Sequence, residues 1–184
     1  MEIKGTAIVT IPIFVEEKFG KDGFDKWINL LTPDARKTFT QGVYPAFWYP
    51  IKEILVEPTQ IICDLFYNGD QHGAWECGQF SAENALRGVY AIFIKLGSPA
   101  FLIKSSKLVL EKYFRPVETR ILQEGPNKSS MELKFPESYD IMELRIGGWI
   151  QSALEISGCK SPLVEIKQSI VSGDPAVIYK ATWE

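Results

Sequence analysis

Residues 75–99, from Trp75 to Pro99, read as a single long helix whose second half, Val89 to Ile94, is apolar on every side. A helix apolar all round belongs inside a domain. Its polar groups Gln79, Glu83 and Arg87 fall at i, i+4 and i+8 and so share one stripe. The spacing predicts a central helix with one polar edge, and an ion pair from Glu83 to Arg87. Gly78 and Gly88 interrupt it at a cost of about 1 kcal/mol each against Ala. Glycines at such positions predict close approach by a neighbouring helix.

Length sets the frame for that helix. A chain of 184 residues is read as one domain, 1–184, large enough to bury a full core. Hydrophobic residues make up 46% and aromatics 12%, which fits a globular chain rather than a disordered one. The formal net charge is -3 and no basic block occurs. Nucleic-acid binding is disfavoured, because phosphate neutralisation needs clustered Lys and Arg. No apolar run reaches the length of a membrane span. The start, Met1 to Lys4, lacks the basic-then-apolar pattern of a signal peptide. Cys63, Cys77 and Cys159 are scattered, which fits reduced thiols in a cytoplasm.

The first part of the chain reads as helical. Ile3 to Thr10 is β-branched and fits a strand or a helix start. Phe14 to Phe19 reads as a helix stopped at Gly20, a usual C-terminal residue. Phe24, Trp27, Ile28 and Leu31 line one face of the next helix. Thr32-Pro33 opens a short helix ending at Gly42. Trp48 to Pro50 reads as another helix start, with a kink or break at Pro58 before the helix ends near Tyr67. After the central helix, Pro99 to about Phe114 forms one more.

Beyond Pro116 the period changes to two. Val117, Thr119 and Ile121 alternate with Glu118, Arg120 and Leu122. A long polar loop, residues 125–130, leads to Met131, Leu133 and Phe135. Ile141 to Ser157 reads as a helix with Trp149, Ile150, Ala153 and Leu154 on its inner side. Val164, Ile166, Gln168 and Ile170 alternate again, and so do Val177, Tyr179, Ala181 and Trp183. The expected fold is α+β: a helical N-terminal half, then hairpin, helix, hairpin. The hairpins make one antiparallel sheet of about four strands with helices on one face.

Lys4-Gly5, the Val15-to-Gly20 segment, Trp48 to Pro50, Gly78 to Glu83, Gly88 to Tyr90, Leu96 to Pro99, Gly148-Trp149 and Gly173 to Pro175 recur in this order in a known group. The chain resembles the ligand-binding fold shared by haem nitric-oxide-binding domains, 4-vinyl-reductase-type regulatory domains and TRAPP subunits. Within it, the likeness is to a bacterial domain family of unknown function, multiplied in myxobacteria. The resemblance covers nearly the whole chain and implies a compact regulatory or ligand-binding module.

Departures from that group are equally informative. Haem-binding relatives use a proximal His and a Tyr-x-Ser-x-Arg clamp on the haem propionates, and no such clamp occurs here. The sole histidine, His72, stands between Gly69 and Gly73 in a loop or helix start and reads as a solvated residue. Some 4-vinyl-reductase-type domains carry cysteines near the last hairpin; Ile170 and Ala176 stand there instead. Lacking paired Cys, the chain is expected to hold no structural zinc, no other metal and no cofactor. TRAPP subunits can carry an acyl chain on a Cys in an apolar tunnel. Cys63 and Cys77 sit on helices that would border one, but both read as small core residues.

Catalytic signals are lacking: there is no Gly-x-Ser-x-Gly and no phosphate-cradling glycine loop. Glu76 and Glu83 lie two turns apart on one helix face and read as surface charge. The aromatics carry the remaining hint. Trp48, Tyr49, Trp75, Phe80, Tyr90 and Phe93 cluster around the two long helices and are the candidate ligand-pocket residues. The expected function is a non-catalytic regulatory or sensory module that binds a small apolar ligand. The alternatives are a dimerisation module with no small ligand and, last, an enzyme. Association as a homodimer is expected, with Trp27 and Leu31 near the contact or else packed on the chain's own core.

Overall fold

The computed structural model describes residues 1–87 and 107–184, the side chains of Arg87 and Glu124 apart. Strand β1 (Glu2–Lys4) runs into a short helix, α1 (Gly5–Ile8), so the β-branched start is both strand and helix. Helix α2 (Thr10–Leu30) is broken at Gly20, whose φ of 70° and ψ of -177° no helix accommodates. Helix α3 (Pro33–Gln41) starts with Pro33 in its first turn, and the Thr32 hydroxyl accepts from the Ala35 amide at 3.4 Å. Gly42, at φ 91°, ends it.

Trp48 to Pro50 is not a helix start. It forms strand β2 (Trp48–Pro50), antiparallel to β1, with Ile3 opposite Tyr49 and Lys4 opposite Trp48. A non-local partner decided this, overriding local preference. Helical structure begins after it, with a π turn at Lys52–Val56 leading into α4 (Glu57–Phe66). Pro58 sits in the first turn of α4, where its missing N–H costs least, so the irregularity comes before the proline. Asn68 and Gly69 turn the chain at φ 55° and 83°. Helix α5 (His72–Arg87) is the described part of the central helix. The all-apolar segment Val89 to Ile94, with Gly88, Tyr90 and Phe93, lies outside the described residues. So does the Arg87 end of the expected Glu83–Arg87 pair.

Residues 107–113 are helical and lead to strand β3 (Phe114–Arg115), which pairs with the other edge of β1. The result is a small sheet of order β2-β1-β3 that the sequence pattern did not suggest. The larger sheet follows the expected plan. Strands β4 (Glu118–Gly125) and β5 (Lys128–Lys134) form the first hairpin, helix α6 (Asp140–Ile156) follows, and β6 (Leu163–Gln168) and β7 (Val177–Thr182) form the second. All pairs are antiparallel, in the order β4-β5-β7-β6. The first hairpin loop is shorter than expected: Gly125 pairs with Lys128, so Ser129 and Ser130 belong to β5.

The main core lies between α2, the π turn, α5, α6 and the large sheet. Trp27, Ile8, Leu55, Ile62, Leu133, Met142 and Tyr179 are fully enclosed there. Each such side chain is worth roughly 1.5–3 kcal/mol of apolar transfer. Trp27 and Leu31 are core residues: the Trp27 indole donates to the Pro58 carbonyl at 2.9 Å, and its ring packs on Phe39. The expectation that they stand at a subunit contact is therefore corrected. Amphipathic helical spacing does not say whether the apolar stripe faces the chain's own core or a second copy. Among the described residues no helix is long and apolar enough to cross a membrane.

Candidate functional site

Helices α5 and α6 cross at glycines. A Cβ on Gly78 would overlap the Arg145 carbonyl, and one on Gly148 would overlap the Trp75 carbonyl. Backbone therefore meets backbone, as the sequence predicted for Gly78. Close approach at the crossing leaves a cavity beside it of about 30 Å³, lined among the described residues by both helices and their neighbours. Ile3 of β1, Ala7 of α1 and Leu55 of the π turn close one side. Val109, Leu110, Tyr113 and Phe114 close another. Gly78 and Ser81 come from α5, and Met142, Arg145, Ile146 and Trp149 from α6.

The walls are mainly hydrocarbon, which makes the polar atoms conspicuous. Arg145 is 6% exposed. Its Nη2 donates to the Ala7 carbonyl at 3.4 Å, a long bond, and its Nη1 has no partner among the described residues. The remaining side-chain contact is the Cys77 sulfur. Burial pushes the guanidinium pKa down, and Cys77 only partly offsets this. Trp149 stands one turn further along α6, on the same stripe, and its buried indole N–H also lacks a partner. No carboxylate is among the lining residues described. Residues 88–106 contain no Asp or Glu in sequence either. Among the described lining residues the cavity thus presents positive charge and hydrogen-bond donors with no acidic counterpart.

The cysteine thiols carry no sign of activation. All of them, Cys63, Cys77 and Cys159, are free and buried. Burial pushes the Cys77 thiol up to about 12 and the Cys63 thiol up to about 11, so both stay protonated near neutrality. Among the described residues no group of His, Cys, Asp or Glu side chains could hold a metal ion.

A second concavity, open to solvent, lies between α2 and α5. Phe14, Glu17, Lys18, His72, Glu76, Gln79, Phe80 and Glu83 line it. Gln79 and Glu83 of the central helix's polar stripe face this groove. Glu76 is saturated with partners: Lys18, the Tyr67 hydroxyl at 2.8 Å and His72 at 3.4 Å. His72 itself is 61% exposed.

Among the aromatics singled out from the sequence, Trp48 is held between the Lys4 ammonium, 4.7 Å from its ring centre, and the Arg115 guanidinium, at 4.2 Å. Tyr49 accepts the Tyr44 amide on its hydroxyl at 2.9 Å. Trp75 packs on Gly147 and donates to Gln151 at 3.2 Å. Phe80 stands edge-on to Phe14 beside the open groove. These four line other parts of the molecule than the α5–α6 cavity, and Tyr90 and Phe93 lie outside the described residues. Sequence reasoning passed over Arg145. It had placed Trp149 on the inner side of α6, and a cation one turn before an inward residue was the signal that could have found it.

The fold is the α+β fold of H-NOX domains. Among the solved structures that match it, three illustrate a likeness over nearly their whole length. The H-NOX protein from S. oneidensis in the Fe(II)NO ligation state is 15% identical at a TM-score of 0.75, over 99% of this chain and 99% of that chain. The Fe(II) unliganded H-NOX protein from K. algicida is 13% identical at 0.70, over 99% and 97%. The H-NOX from Shewanella woodyi in the Fe(II)CO ligation state, bound to IWP-051, is 12% identical at 0.71, over 98% and 94%. No protein-family model matches the chain, and no curated protein does. At these identities the likeness is one of fold.

Haem does not fit the residues present. The sole histidine is on the surface, paired with Glu76, and is not among the residues lining the buried cavity. That cavity has room for about two waters, not for a macrocycle. The sequence has no Tyr-x-Ser-x-Arg, and Met131, Leu133 and Phe135 of the first hairpin are buried apolar residues.

Proposed function

We propose that this chain is a non-catalytic regulatory module that holds a small, largely apolar ligand in the cavity between α5 and α6. The observation that carries this reading is the pairing of hydrocarbon walls with unsatisfied donors on Arg145 and Trp149. Native proteins rarely leave buried donors unpaired, so such atoms point to an absent acceptor. The fold adds support, since the similar S. oneidensis protein exists in an Fe(II)NO ligation state. Membership of the bacterial family named above, and residence in the cytoplasm with reduced thiols, belong to the same proposal. Native mass spectrometry of protein from a heterologous host tests it. A co-purified small molecule, released on unfolding, is expected; a bare chain mass at every preparation argues against it.

The alternative, a dimerisation module, draws on one exposed feature. Tyr44 and Phe47 are 61% and 59% exposed and stack on each other at 5.2 Å. Exposed paired aromatics suit an interface core. Light scattering decides: a homodimer at micromolar concentration supports this reading, and a monomer removes it.

A further inference from the structure

Space and chemistry together narrow the ligand class. The cavity volume of about 30 Å³ corresponds to roughly two water molecules. Two waters in the liquid occupy about 60 Å³, close to the van der Waals envelope of a molecule of about four heavy atoms. Arg145 Nη1 and Trp149 Nε1 are donors without acceptors, one turn apart on α6. A guanidinium matches a carboxylate in plane and charge, and such bonds are about twice as strong as neutral ones. An inorganic oxyanion has no hydrocarbon to set against Ile3, Leu55 and Ile146, whose side chains offer its remaining oxygens no donor. A molecule with an anionic head and a short hydrocarbon tail suits both parts of the cavity.

We propose that the α5–α6 cavity binds a short-chain carboxylate of about two to three carbons, its head on Arg145 and Trp149 and its tail against Ile3, Leu55 and Ile146. This rests on the ligand-binding reading above and specifies its chemistry. Bound anion supplies the counter-charge that the described walls lack. The uncharged alcohol of the same size cannot do so.

The test uses the full chain, titrated calorimetrically and by thermal unfolding. The probe is sodium propionate, against sodium chloride and sodium nitrate at equal ionic strength and against 1-propanol. Saturable binding of propionate alone, with a rise in melting temperature, is expected. Arg145→Met should abolish it, and Trp149→Phe should weaken it roughly tenfold, the worth of one hydrogen bond to a charged group. Hexanoate should bind more weakly than propionate because the cavity is short. If Arg145→Met does not fold, Ala7→Val decides, since it fills the cavity while leaving the guanidinium in place. Binding that survives in these variants overturns the site. Nitrate binding as tightly as propionate overturns the carboxylate class. Propanol binding without propionate overturns the anion but leaves an apolar-ligand module standing; no binding by either removes both readings.

Discussion

Gly148 of α6 lies with its bare Cα against the carbonyl of Trp75 on α5, and Gly78 of α5 meets the Arg145 carbonyl in the reciprocal contact. Neither position has room for a methyl group. In an open helix, Ala would be favoured over Gly by about 1 kcal/mol. Here the obstruction is backbone, which cannot rotate away, so the sign reverses. Gly148→Ala and Gly78→Ala should each cost about 1–3 kcal/mol. For a chain of this length that is a fall of several degrees in melting temperature, measurable by calorimetry. An unchanged or raised Tm would mean the helices are further apart than described.

Trp27 answers a different question. Its indole is enclosed and donates to the Pro58 carbonyl at 2.9 Å. Trp27→Ala should cost about 3–5 kcal/mol, the usual range for a large aromatic in a core. Phe47→Asp, on the exposed stacked pair, should leave the melting temperature within a degree or two. Denaturant midpoints for both variants, with light scattering on the folded samples, separate core from surface. A Trp27→Ala protein that stays folded and loses association would restore Trp27 to an interface.

Local signals were the readable ones. Gly20, Thr32-Pro33, Gly42 and the alternation after Pro116 each mark a boundary through backbone chemistry carried by one or two residues, and the structure follows them. Trp48 to Pro50 was misread because its strand identity depends on Glu2, Ile3 and Lys4, far away in the chain. Periodicity also misled at the site. It picks out apolar residues as the inner side, so it gave no sign that Arg145 and Glu143 of α6 are enclosed as well. An inward charge is visible only once the neighbouring helix is in place. The polar stripe of α5, by contrast, was legible as a stripe, and Gln79 and Glu83 do share the open groove.

Haem provides a direct check on the site. Titrating the purified chain with haem should give no Soret band of a ligated iron, because His72 is exposed and engaged with Glu76. His72→Ala should leave the spectrum as it was. A Soret band that the variant loses would place an iron ligand at His72 and contradict the cavity described between α5 and α6.

Alkaline pH should expose the buried thiols thermodynamically. Burial raises the Cys77 thiol to about 12 from its ordinary value of 9.0, and Cys63 to about 11. A raised folded pKa means that the native state keeps its proton while the unfolded chain releases it. Stability is therefore complete below pH 9 and declines as pH rises toward 11 and 12. Tyr179 is raised in the same direction, so the wild-type slope is shared. Cys77→Ala should flatten the alkaline limb of a stability profile without abolishing it. Identical slopes in the two proteins would mean that Cys77 is ionised in the folded state.

Arg145 carries the last prediction, because its position sets stability against binding. An enclosed guanidinium with an unpaired Nη1 among the described residues, a long bond to Ala7 and a weak acceptor in the Cys77 sulfur has lost hydration that these contacts replace only in part. Met has similar length, no charge and a flexible apolar chain suited to an irregular gap. Replacing buried charge by a packed apolar residue is commonly neutral or stabilising. Arg145→Met should therefore raise the ligand-free melting temperature, by an amount corresponding to about 1–2 kcal/mol, a few degrees for this length. Adding propionate should narrow the difference, because only the wild type gains from an anion that binds the folded state. The comparison needs two unfolding curves per protein, with and without propionate. A variant that melts well below the wild type in the absence of any anion would show that Arg145 is satisfied where it stands, and that the fold, not a ligand, is what its charge serves.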